Sequence, residues 1–418
     1  MRIKRDKYLN MLIDAKWNGL IKIVTGIRRC GKSYLLGELF YEHLINSGIC
    51  SDHIIKIALD DEENKDLRDA SALSLAINKQ TSNKEVKYYL IIDEIQKCIG
   101  FEDVLNGILY KKHIDIYVTG SNSKFLSKDV ITEFRGRGLE INLLPLSFSE
   151  ILPLYDNPSK ALANYLLYGG MPIMLTFNDD QGKRNYLSNL FKTVYLSDII
   201  ERYNIEHADA LERIIDLLSS SIGSLTNPNK ITNTLSSKGQ KGIDYKTVKN
   251  YLDYITDAYL FEKVDRYDVK GKKYFETISK YYATDLGLRN ARLNFRQYEE
   301  NHLMENAIYL ELLNRGFSVD VGIVEIREVV EGKRVSKQLE IDFIANKSDK
   351  RYYIQSAYQM PTEEKRNQEI RPFRAVDDSF KKILIVRNDF APIFNDENGI
   401  LHIGLLDFLS DPNSLNRS

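Results

Sequence analysis

The sequence has few cysteines and almost no net charge. Three of its 418 residues are cysteine (Cys30, Cys50 and Cys98), and they lack the spacing of metal ligands. An odd number of scattered cysteines is typical of a chain in a reducing compartment, so we expect a cytoplasmic protein. Because the formal net charge is −1, any affinity for nucleic acid must come from a local basic cluster and not from a global field.

Long apolar runs are also absent. No segment approaches the ~20 apolar residues that are needed to cross a bilayer. The first residues, Met1 to Arg5, lead into a polar amphipathic stretch and not into the apolar core of a signal peptide. We therefore expect a soluble intracellular protein without a membrane partner. Repeats and low-complexity tracts are missing too, and the length predicts about two or three domains.

Up to about residue 150, short apolar runs alternate with segments of helical length. Strands this short and this apolar, separated by helices, predict an α/β fold: a buried parallel sheet with helices on both faces. Ligands of such folds bind at the carboxyl ends of the strands. The five predicted strands cover residues 20–25, 54–59, 88–92, 114–119 and 139–144.

The first of these strands is followed by Gly26-Ile-Arg-Arg-Cys-Gly-Lys-Ser33 and then by a predicted helix over 34–44. This spacing, between a strand and a helix, is typical of a P-loop, whose backbone N–H groups and helix N-terminus face phosphates. Lys32 is predicted to reach the β- and γ-phosphates, and Ser33 to ligate Mg²⁺. The alternative is a chance match in a tight turn. The predicted nucleotide-binding residues here are Gly26, Ile27, Arg28, Arg29, Cys30, Gly31, Lys32, Ser33 and Tyr34.

The third strand delivers two adjacent carboxylates, Asp93 and Glu94. At the end of a buried strand, Asp93 is placed to hold Mg²⁺ through water, and Glu94 to polarise the attacking water as a general base. Neither a kinase nor a switch GTPase requires that adjacent glutamate, so the pair favours an enzyme that hydrolyses ATP. The alternative is a solvated acidic strand end. With the P-loop, the pair predicts an ATPase that takes ATP and Mg²⁺ and releases ADP and phosphate.

Two further segments are open to more than one interpretation. The fourth strand ends in Thr119-Gly-Ser-Asn-Ser123, whose small polar side chains either sense the γ-phosphate or form an ordinary turn. Arg135 and Arg137 come just before the fifth strand. Either of them completes the active site of a neighbouring subunit as an arginine finger, or both are surface charges. A finger would require a homo-oligomer.

Residues 228 to 273 form a basic segment, with ten Lys or Arg against six Asp or Glu. The pattern predicts two short helices and a hairpin, and Asp244 is placed to cap the second helix. Exposed polar and basic side chains on that helix and at the hairpin tip suit DNA phosphates and groove edges. The alternative is a solvated face or a surface for protein docking. The candidate DNA contacts are Lys246, Thr247, Lys249, Asn250, Lys270, Lys272 and Lys273.

Motifs along nearly the whole chain together resemble the prokaryotic AAA+ ATPases of the AAA_14 type, which commonly carry a C-terminal DUF4143 region. The N-terminal motifs are the P-loop with its paired arginines, Leu90-Ile-Ile-Asp-Glu-Ile-Gln96, Val118-Thr-Gly-Ser-Asn-Ser123, Arg135-Gly-Arg137 and Leu144-Pro-Leu-Ser-Phe148. The C-terminal motifs are Tyr168-Gly-Gly-Met-Pro172, Tyr195-Leu-Ser-Asp-Ile199, Asn250-Tyr-Leu-Asp253, Lys280-Tyr-Tyr-Ala-Thr-Asp-Leu-Gly287 and Tyr353-Ile-Gln-Ser-Ala-Tyr358.

The resemblance implies four regions. These are a P-loop AAA+ core with a parallel sheet over 1–150, a helical lid over 151–222, a winged-helix module over 223–298, and a mixed α/β domain like the PD-(D/E)XK nucleases over 299–418. It also implies functional residues that the motifs alone leave open. Ser121 or Asn122 would act as the sensor, Arg137 would be the finger in preference to Arg135, and Pro172 would lie against the adenine.

The last region has the order of a metal-dependent nuclease but not its full set of residues. Glu305 falls on a helix, Glu340-Ile-Asp342 on a strand, and Gln355 and Ala357 on the next strand. A nuclease site of this type needs a second carboxylate and a lysine where Gln355 and Ala357 stand. Because a neutral amide is a poor Mg²⁺ ligand and alanine transfers no proton, we expect no nuclease activity.

Two functions follow from these observations. The first is an oligomeric ATPase that couples turnover to binding or remodelling DNA, including branched DNA. The second is a signalling or defence switch, in which the nucleotide state gates protein partners through the C-terminal domains.

Overall fold

The computed structural model describes residues 3–120, 136–237, 242–330, 333–387 and 393–417. The chain forms two compact units. The first consists of Met1–Pro145 with Asp257–Tyr259, and the second of Leu146–Thr256 with Leu260–Ser418. None of the helices in the described ranges is both long and apolar enough to span a membrane.

The first unit is built on a five-stranded sheet in which every pairing is parallel. The strand order is β2-β3-β4-β1-β5, so β4 lies between β1 and β3. The predicted parallel sheet is confirmed, and each observed strand overlaps the run that predicted it. The strands are β1 (Ile21–Thr25), β2 (Ile54–Ala58), β3 (Tyr88–Asp93), β4 (Ile114–Thr119) and β5 (Gly138–Asn142).

Helices of this unit cover the sheet. Leu73 and Ile77 from one helix and Leu105 and Ile108 from another belong to the same buried cluster as the side chains of β1 to β4. The helix predicted over 34–44 is observed as a continuous helical segment that includes a π-helical stretch, Leu35–Phe40. The helices are α1 (Asp6–Asp14), α2 (Lys32–Tyr34), α3 (Tyr41–Asn46), α4 (Ala70–Gln80) and α5 (Phe101–Leu109).

The second unit begins with helices. They include a second π-helical stretch, Phe191–Leu196. The helices are α6 (Phe148–Ile151), α7 (Pro158–Tyr168), α8 (Asp180–Leu190), α9 (Ser197–Tyr203) and α10 (Ala208–Ser220). Helix α6 starts at a capping box, in which Ser147 and Glu150 satisfy each other's backbone N–H groups.

The Gly169-Gly170 turn after α7 is locked against a buried carboxylate, that of Asp285. Asp285 accepts a hydrogen bond from the Gly170 N–H at 2.7 Å and one from the Leu288 N–H at 2.9 Å. A Cβ on Gly169 would lie 2.4 Å from the Asp285 carboxylate oxygens, and a Cβ on Gly170 would lie 2.1 Å from the Leu146 carbonyl oxygen. The two glycines are therefore required by this packing, whatever else the turn contacts.

After α10 the chain runs strand, helix, helix, strand, strand. These elements are β6 (Leu225–Thr226), α11 (Pro228–Ser237), α12 (Tyr245–Asp257), β7 (Phe261–Asp268) and β8 (Lys273–Ala283). β8 pairs antiparallel with both β6 and β7. The predicted hairpin and the predicted cap are confirmed, since Asp244 accepts a hydrogen bond from the Thr247 N–H at 2.7 Å.

The rest of the unit extends the same sheet to nine strands, in the order β13-β14-β12-β11-β10-β9-β7-β8-β6. Because β7 pairs with β9, strands from both sides of the predicted domain boundary between 298 and 299 belong to one continuous sheet. The added strands are β9 (Ser318–Val330), β10 (Lys333–Lys347), β11 (Lys350–Ala357), β12 (Lys381–Val386), β13 (Phe394–Asn395) and β14 (Leu401–Gly404). The added helices are α13 (Leu286–Arg292), α14 (Glu300–Asn314), α15 (Glu363–Arg374) and α16 (Leu405–Ser410).

Candidate nucleotide site

The loop between β1 and α2 turns through three residues of positive φ. Gly26 has φ +134° and Gly31 has φ +104°, and the non-glycine Arg29 adopts φ +65°. A Cβ on Gly26 would lie 2.2 Å from the carbonyl oxygen of Leu143. Glycine is therefore the residue that lets the loop turn here without moving the segment after β5.

Lys32 is the first residue of α2, and its side chain reaches back to the loop. Its side chain is buried, and its Nζ donates hydrogen bonds to the carbonyl oxygens of Gly26 at 3.0 Å and Ile27 at 3.1 Å. The Cys30 thiol, also buried, donates to the Leu143 carbonyl oxygen at 3.3 Å. The loop's own backbone thus holds the ammonium group at the start of α2, where a positive charge adds to that of the helix N-terminus. Tyr34, on the same segment, is exposed.

Asp93 and Ser33, the two predicted metal ligands, lie close enough to interact. Burial raises the pKa of Asp93 above its usual value, while hydrogen bonds from Thr119 and Ser33 act in the opposite direction. Mg²⁺ is commonly held by one or two carboxylates, with substrate phosphates and water as its other ligands. A single carboxylate beside a hydroxyl at the P-loop therefore fits Mg²⁺. In the described ranges no group of three or more His, Cys, Asp and Glu side chains is arranged to hold a metal ion.

Thr119 connects the two carboxylate residues, a role that sequence reasoning missed. Its hydroxyl donates a hydrogen bond to Asp93 Oδ1 and accepts one from the Glu94 backbone N–H at 2.9 Å. Thr119 ends β4, which pairs directly with β3. The sequence signal is the threonine that ends the fourth predicted strand in Thr119-Gly-Ser-Asn-Ser123, but its two partners depend on the pairing of β3 with β4.

Glu94 has an unusual backbone. It adopts the left-handed conformation, with φ 51° and ψ 47°, which costs a non-glycine residue about 1–3 kcal/mol. Its carboxylate accepts a hydrogen bond from the Gln96 side-chain amide. The tight turn directs the chain away from β3 immediately after Asp93, so the two adjacent carboxylates have different surroundings and different partners.

Only one of the predicted sensor and finger residues can be located. Ser121, Asn122 and Arg135 lie outside the described residues. Arg137 is described: its guanidinium lies 5.3 Å from the Tyr110 ring centroid, and its Nη1 donates to the Tyr110 hydroxyl at 3.3 Å.

Arg137 lies immediately before β5, at the amino-terminal end of the parallel strands, whereas the P-loop lies at their carboxyl-terminal end. Its carbonyl oxygen accepts a hydrogen bond from the N–H of Ile21, the first residue of β1. The P-loop follows the last residue of β1, so Arg137 is remote from the phosphate loop of its own chain. Such a position excludes a role for Arg137 in the nucleotide site of its own chain. Two interpretations remain: an arginine finger for a neighbouring subunit, or a surface charge.

Pro172 belongs to the second unit, where it begins a short 3-10 helix, Pro172–Thr176. Its contact with adenine stays a prediction.

The candidate DNA contacts lie on α12 and at the β7–β8 turn. Lys246 and Lys249 are exposed, but Thr247 and Asn250 are half-buried, so the prediction that all four are exposed is only partly correct. Thr247 is occupied by the helix cap, because its hydroxyl donates to Asp244 Oδ1 at 2.7 Å. The other three lysines, Lys270, Lys272 and Lys273, are exposed together at the turn.

The nuclease-like residues of the second unit do come together, but around a lysine that the sequence did not single out. Lys280 Nζ lies 3.0 Å from Glu305 Oε1 and 2.8 Å from Glu340 Oε1. The Asp342 N–H faces the Gln355 side-chain oxygen at 3.4 Å. The Ala357 side chain is buried in a hydrophobic cluster.

Comparison with known proteins agrees with this geometry. Residues 18–152 match the model of the AAA domain AAA_14. An uncharacterized protein of Haemophilus influenzae is 34% identical over 389 residues, which are 92% of this chain and 93% of that protein. The chain belongs to the family of that protein. With its P-loop and AAA domain, it is a P-loop ATPase of the AAA type.

Other matches add detail. Protein MJ1544 of Methanocaldococcus jannaschii, also uncharacterized, is 30% identical over 394 residues, which are 90% of this AAA-type ATPase and 83% of that protein. The Walker-type ATPase PABY2304 of Pyrococcus abyssi covers 70% of this chain and 96% of its own, at 16% identity and a TM-score of 0.47. Residues 159–299 match a domain of unknown function, DUF8612. The expected DUF4143 region is therefore not confirmed.

Proposed function

We propose that this AAA-type ATPase hydrolyses ATP with Mg²⁺ as a homo-oligomer and couples turnover to binding or remodelling DNA, including branched DNA. The observation that carries the hydrolytic part is the contact of Thr119 with both Asp93 and Glu94 at the strand ends beside the P-loop. The coupling to DNA is supported by the five exposed lysines of α12 and the β7–β8 turn.

Each residue of the site has a proposed role. The backbone N–H groups of the loop from Gly26 to Ser33 surround the phosphates, and Lys32 neutralises charge on the β- and γ-phosphates. Ser33 and Asp93 hold Mg²⁺, which supplies further positive charge to the phosphate oxygens. Ser121 or Asn122 senses the γ-phosphate, and Pro172 contacts the adenine.

Glu94 is the proposed general base. A carboxylate next to the metal-binding aspartate, on a backbone that turns sharply away from β3, can accept a proton from the attacking water. Because Thr119 binds the Glu94 N–H and the Asp93 carboxylate at once, it fixes the base relative to the metal ligand. We propose that Thr119 is a positioning residue and Glu94 a catalytic one.

The domain assignments are part of the proposal. The AAA+ core covers 1–150 and a helical lid 151–222. A winged-helix module covers 223–298, which is supported by the order strand, helix, helix, strand, strand and by the pairing of β8 with β6 and β7. A nuclease-like domain without nuclease activity follows, over 299–418.

DNA contact is tested by the salt dependence of binding to a fluorescent branched DNA. Each lysine–phosphate contact adds close to one to the slope of log K against log salt. The double variant Lys246→Glu with Lys249→Glu is expected to weaken binding at least ~tenfold and to lower that slope by about two. The control makes the same charge change with two exposed lysines of the first unit, Lys79→Glu with Lys84→Glu. Equal binding by the double variant would sink the DNA proposal.

A nucleotide-gated switch that acts on protein partners is the second candidate. It is favoured by the Lys280-centred cluster, since the domain with a nuclease-like order of residues lacks the usual catalytic set. The two candidates differ in the binding experiment, because a switch of this kind would bind DNA neither salt-sensitively nor through Lys246 and Lys249.

A further inference from the structure

Four ionisable side chains in the second unit form a cluster that contains a buried ammonium. Lys280 comes from β8, Glu305 from α14, and Glu340 and Asp342 from β10. The Lys280 side chain is 4% exposed, and its Nζ lies 3.0 Å from Glu305 Oε1 and 2.8 Å from Glu340 Oε1. One nitrogen thus bridges carboxylates from two different elements.

The cluster is built to hold these groups in place. Glu305 Oε1 accepts a second hydrogen bond, from the Tyr282 hydroxyl at 2.6 Å. Asp342 Oδ2 accepts one from the Ser356 N–H at 2.7 Å. A Cβ on Gly223 would lie 2.9 Å from Glu305 Oε1, so the chain is also shaped to leave room for this carboxylate.

The carboxylates of the cluster keep Lys280 in its charged form. Burial by itself lowers the pKa of Lys280, but the carboxylates of Glu305, Asp342 and Glu340 outweigh it, so the net shift is upward and the lysine stays charged. Burial, followed by the charge of Glu305, raises the pKa of Asp342 well above its usual value. The raised pKa of Asp342 shows that the cluster disfavours a further negative charge, and removal of the ammonium would leave Glu305 and Glu340 without their compensating charge.

As the described side chains stand, they form no metal site of three or more ligands, but the ammonium of Lys280 occupies the position between Glu305 and Glu340 that a divalent ion would take in its absence. Metal–oxygen distances for Mg²⁺ are about 2.1 Å, so an ion at the Nζ position would require each glutamate oxygen to move inward by less than about 1 Å. Carboxylate oxygens are the ligands that hard divalent cations prefer. The acidic residues thus have suitable chemistry for a cation, and Lys280 supplies that cation internally.

We propose that the ammonium of Lys280 takes the place of a divalent metal ion in this carboxylate cluster and closes the cluster to metal. The second unit then keeps acidic residues in a nuclease-like order but neutralises them with its own cation, so the site lacks the metal ion that cleavage requires. The inference requires neither ATP hydrolysis nor DNA binding by the chain, so it stands or fails separately from the proposed function.

The test is Mn²⁺ binding, measured by electron paramagnetic resonance on the full chain without nucleotide. Wild-type protein is expected to show weak binding, equal to that of its Glu305→Gln variant. Lys280→Ser is expected to bind Mn²⁺ at least ~tenfold more tightly, since it frees the carboxylates. The gain should be lost in Lys280→Ser combined with Glu305→Gln and Glu340→Gln. The nucleotide site is the same in all variants, so their difference reports on the cluster.

Two results would overturn the proposal. One is a folded Lys280→Ser variant that binds Mn²⁺ no more tightly than the wild type. The other is wild-type binding that Glu305→Gln removes, since the metal would then occupy the cluster beside Lys280. If Lys280→Ser is poorly folded, its melting temperature is measured with and without Mn²⁺. An increase that the triple variant lacks supports the proposal, and no increase contradicts it.

Discussion

At the scale of single residues, the nucleotide site depends on a threonine that links two carboxylate residues. Thr119 donates to Asp93 and accepts from the Glu94 backbone, and Thr119 is itself fully buried at the end of β4. A buried hydrogen-bond network is sensitive to the loss of one member, because the partner that remains is left unsatisfied.

The variant Thr119→Val tests this link. Valine has nearly the same shape but neither donates to Asp93 nor accepts from Glu94, so we expect the rate of ATP hydrolysis to fall ~10- to 100-fold with little change in ATP affinity. Steady-state kinetics and nucleotide binding measure the two effects separately. Thr81→Val is the matched control, because Thr81 is also buried but its hydroxyl bonds the Ile77 carbonyl of its own helix. An unchanged turnover in Thr119→Val would contradict the positioning role.

Asp285 provides a pH prediction. Burial is the main cause that raises its pKa to about 6 from an ordinary value of 3.8. The folded state therefore binds the proton more tightly than the unfolded state does. The free energy of unfolding should fall as the pH rises from about 4 to 6, with a contribution of about 3 kcal/mol from this group, and should show no further change from it above that window.

Denaturant unfolding across pH 4 to 7 measures this effect. Asp285→Asn cannot titrate, so the fall attributed to Asp285 should be absent in that variant. Asp179→Asn is the control, because Asp179 also caps a helix of the second unit but is exposed. If Asp285→Asn keeps the full pH dependence of the wild type, the buried carboxylate is not its source.

At the scale of elements, the strands of the first unit could be predicted because each is a short apolar run that ends at a polar signal. The contacts between side chains of different strands could not be predicted. The role of Thr119 depends on β4 lying next to β3 in register, and the sequence gives no strand order. The same limit applies to Lys280 of β8, because its ion-pair partner Glu340 lies on β10, a strand that is far away in sequence and does not pair with β8. Lys280 is a charged residue in the otherwise strand-like run Ser-Lys-Tyr-Tyr-Ala, which the sequence shows. The sequence does not show which carboxylates pair with it.

The P-loop turn offers a prediction at this scale. Gly26→Ala would place a Cβ 2.2 Å from the Leu143 carbonyl oxygen in a backbone region that alanine avoids. We expect a loss of stability of at least about 1–3 kcal/mol and a loss of ATP binding. Gly37→Ala is the matched control, since a Cβ there meets nothing within 4 Å. The control should be neutral or slightly stabilising. Comparable melting temperatures and ATP affinities of the two variants would show that the loop geometry is wrong.

At the scale of the whole molecule, the position of Arg137 bears on assembly. Arg137 lies at the amino-terminal end of the parallel strands, and the P-loop of its own chain lies at their carboxyl-terminal end. An arginine finger at this position would therefore have to act on a neighbouring subunit. Neither strand patterns nor motif spacing establish an oligomer, because a shared site depends on the symmetry of the assembly.

Arg137→Ala is expected to slow ATP hydrolysis by up to ~10³-fold if it acts as a finger. Mixing this variant with Glu94→Gln, which is intact at Arg137, should restore part of the turnover, because some sites then combine a normal Glu94 with a normal Arg137. The hydrolysis rate of the mixture against that of each variant alone is the measurement. A mixture no faster than the two variants separately would favour a surface role for Arg137.

The measurement that tests the central claim most directly is steady-state ATP hydrolysis by the full chain, with and without branched DNA, in parallel with Glu94→Gln. We predict that wild-type turnover requires Mg²⁺ and increases with DNA. We also predict that Glu94→Gln retains ATP binding but hydrolyses ~10²- to 10⁴-fold more slowly. Normal hydrolysis by Glu94→Gln would contradict the assignment of the base. Wild-type turnover that is the same with duplex, single-stranded and branched DNA would contradict the coupling to DNA.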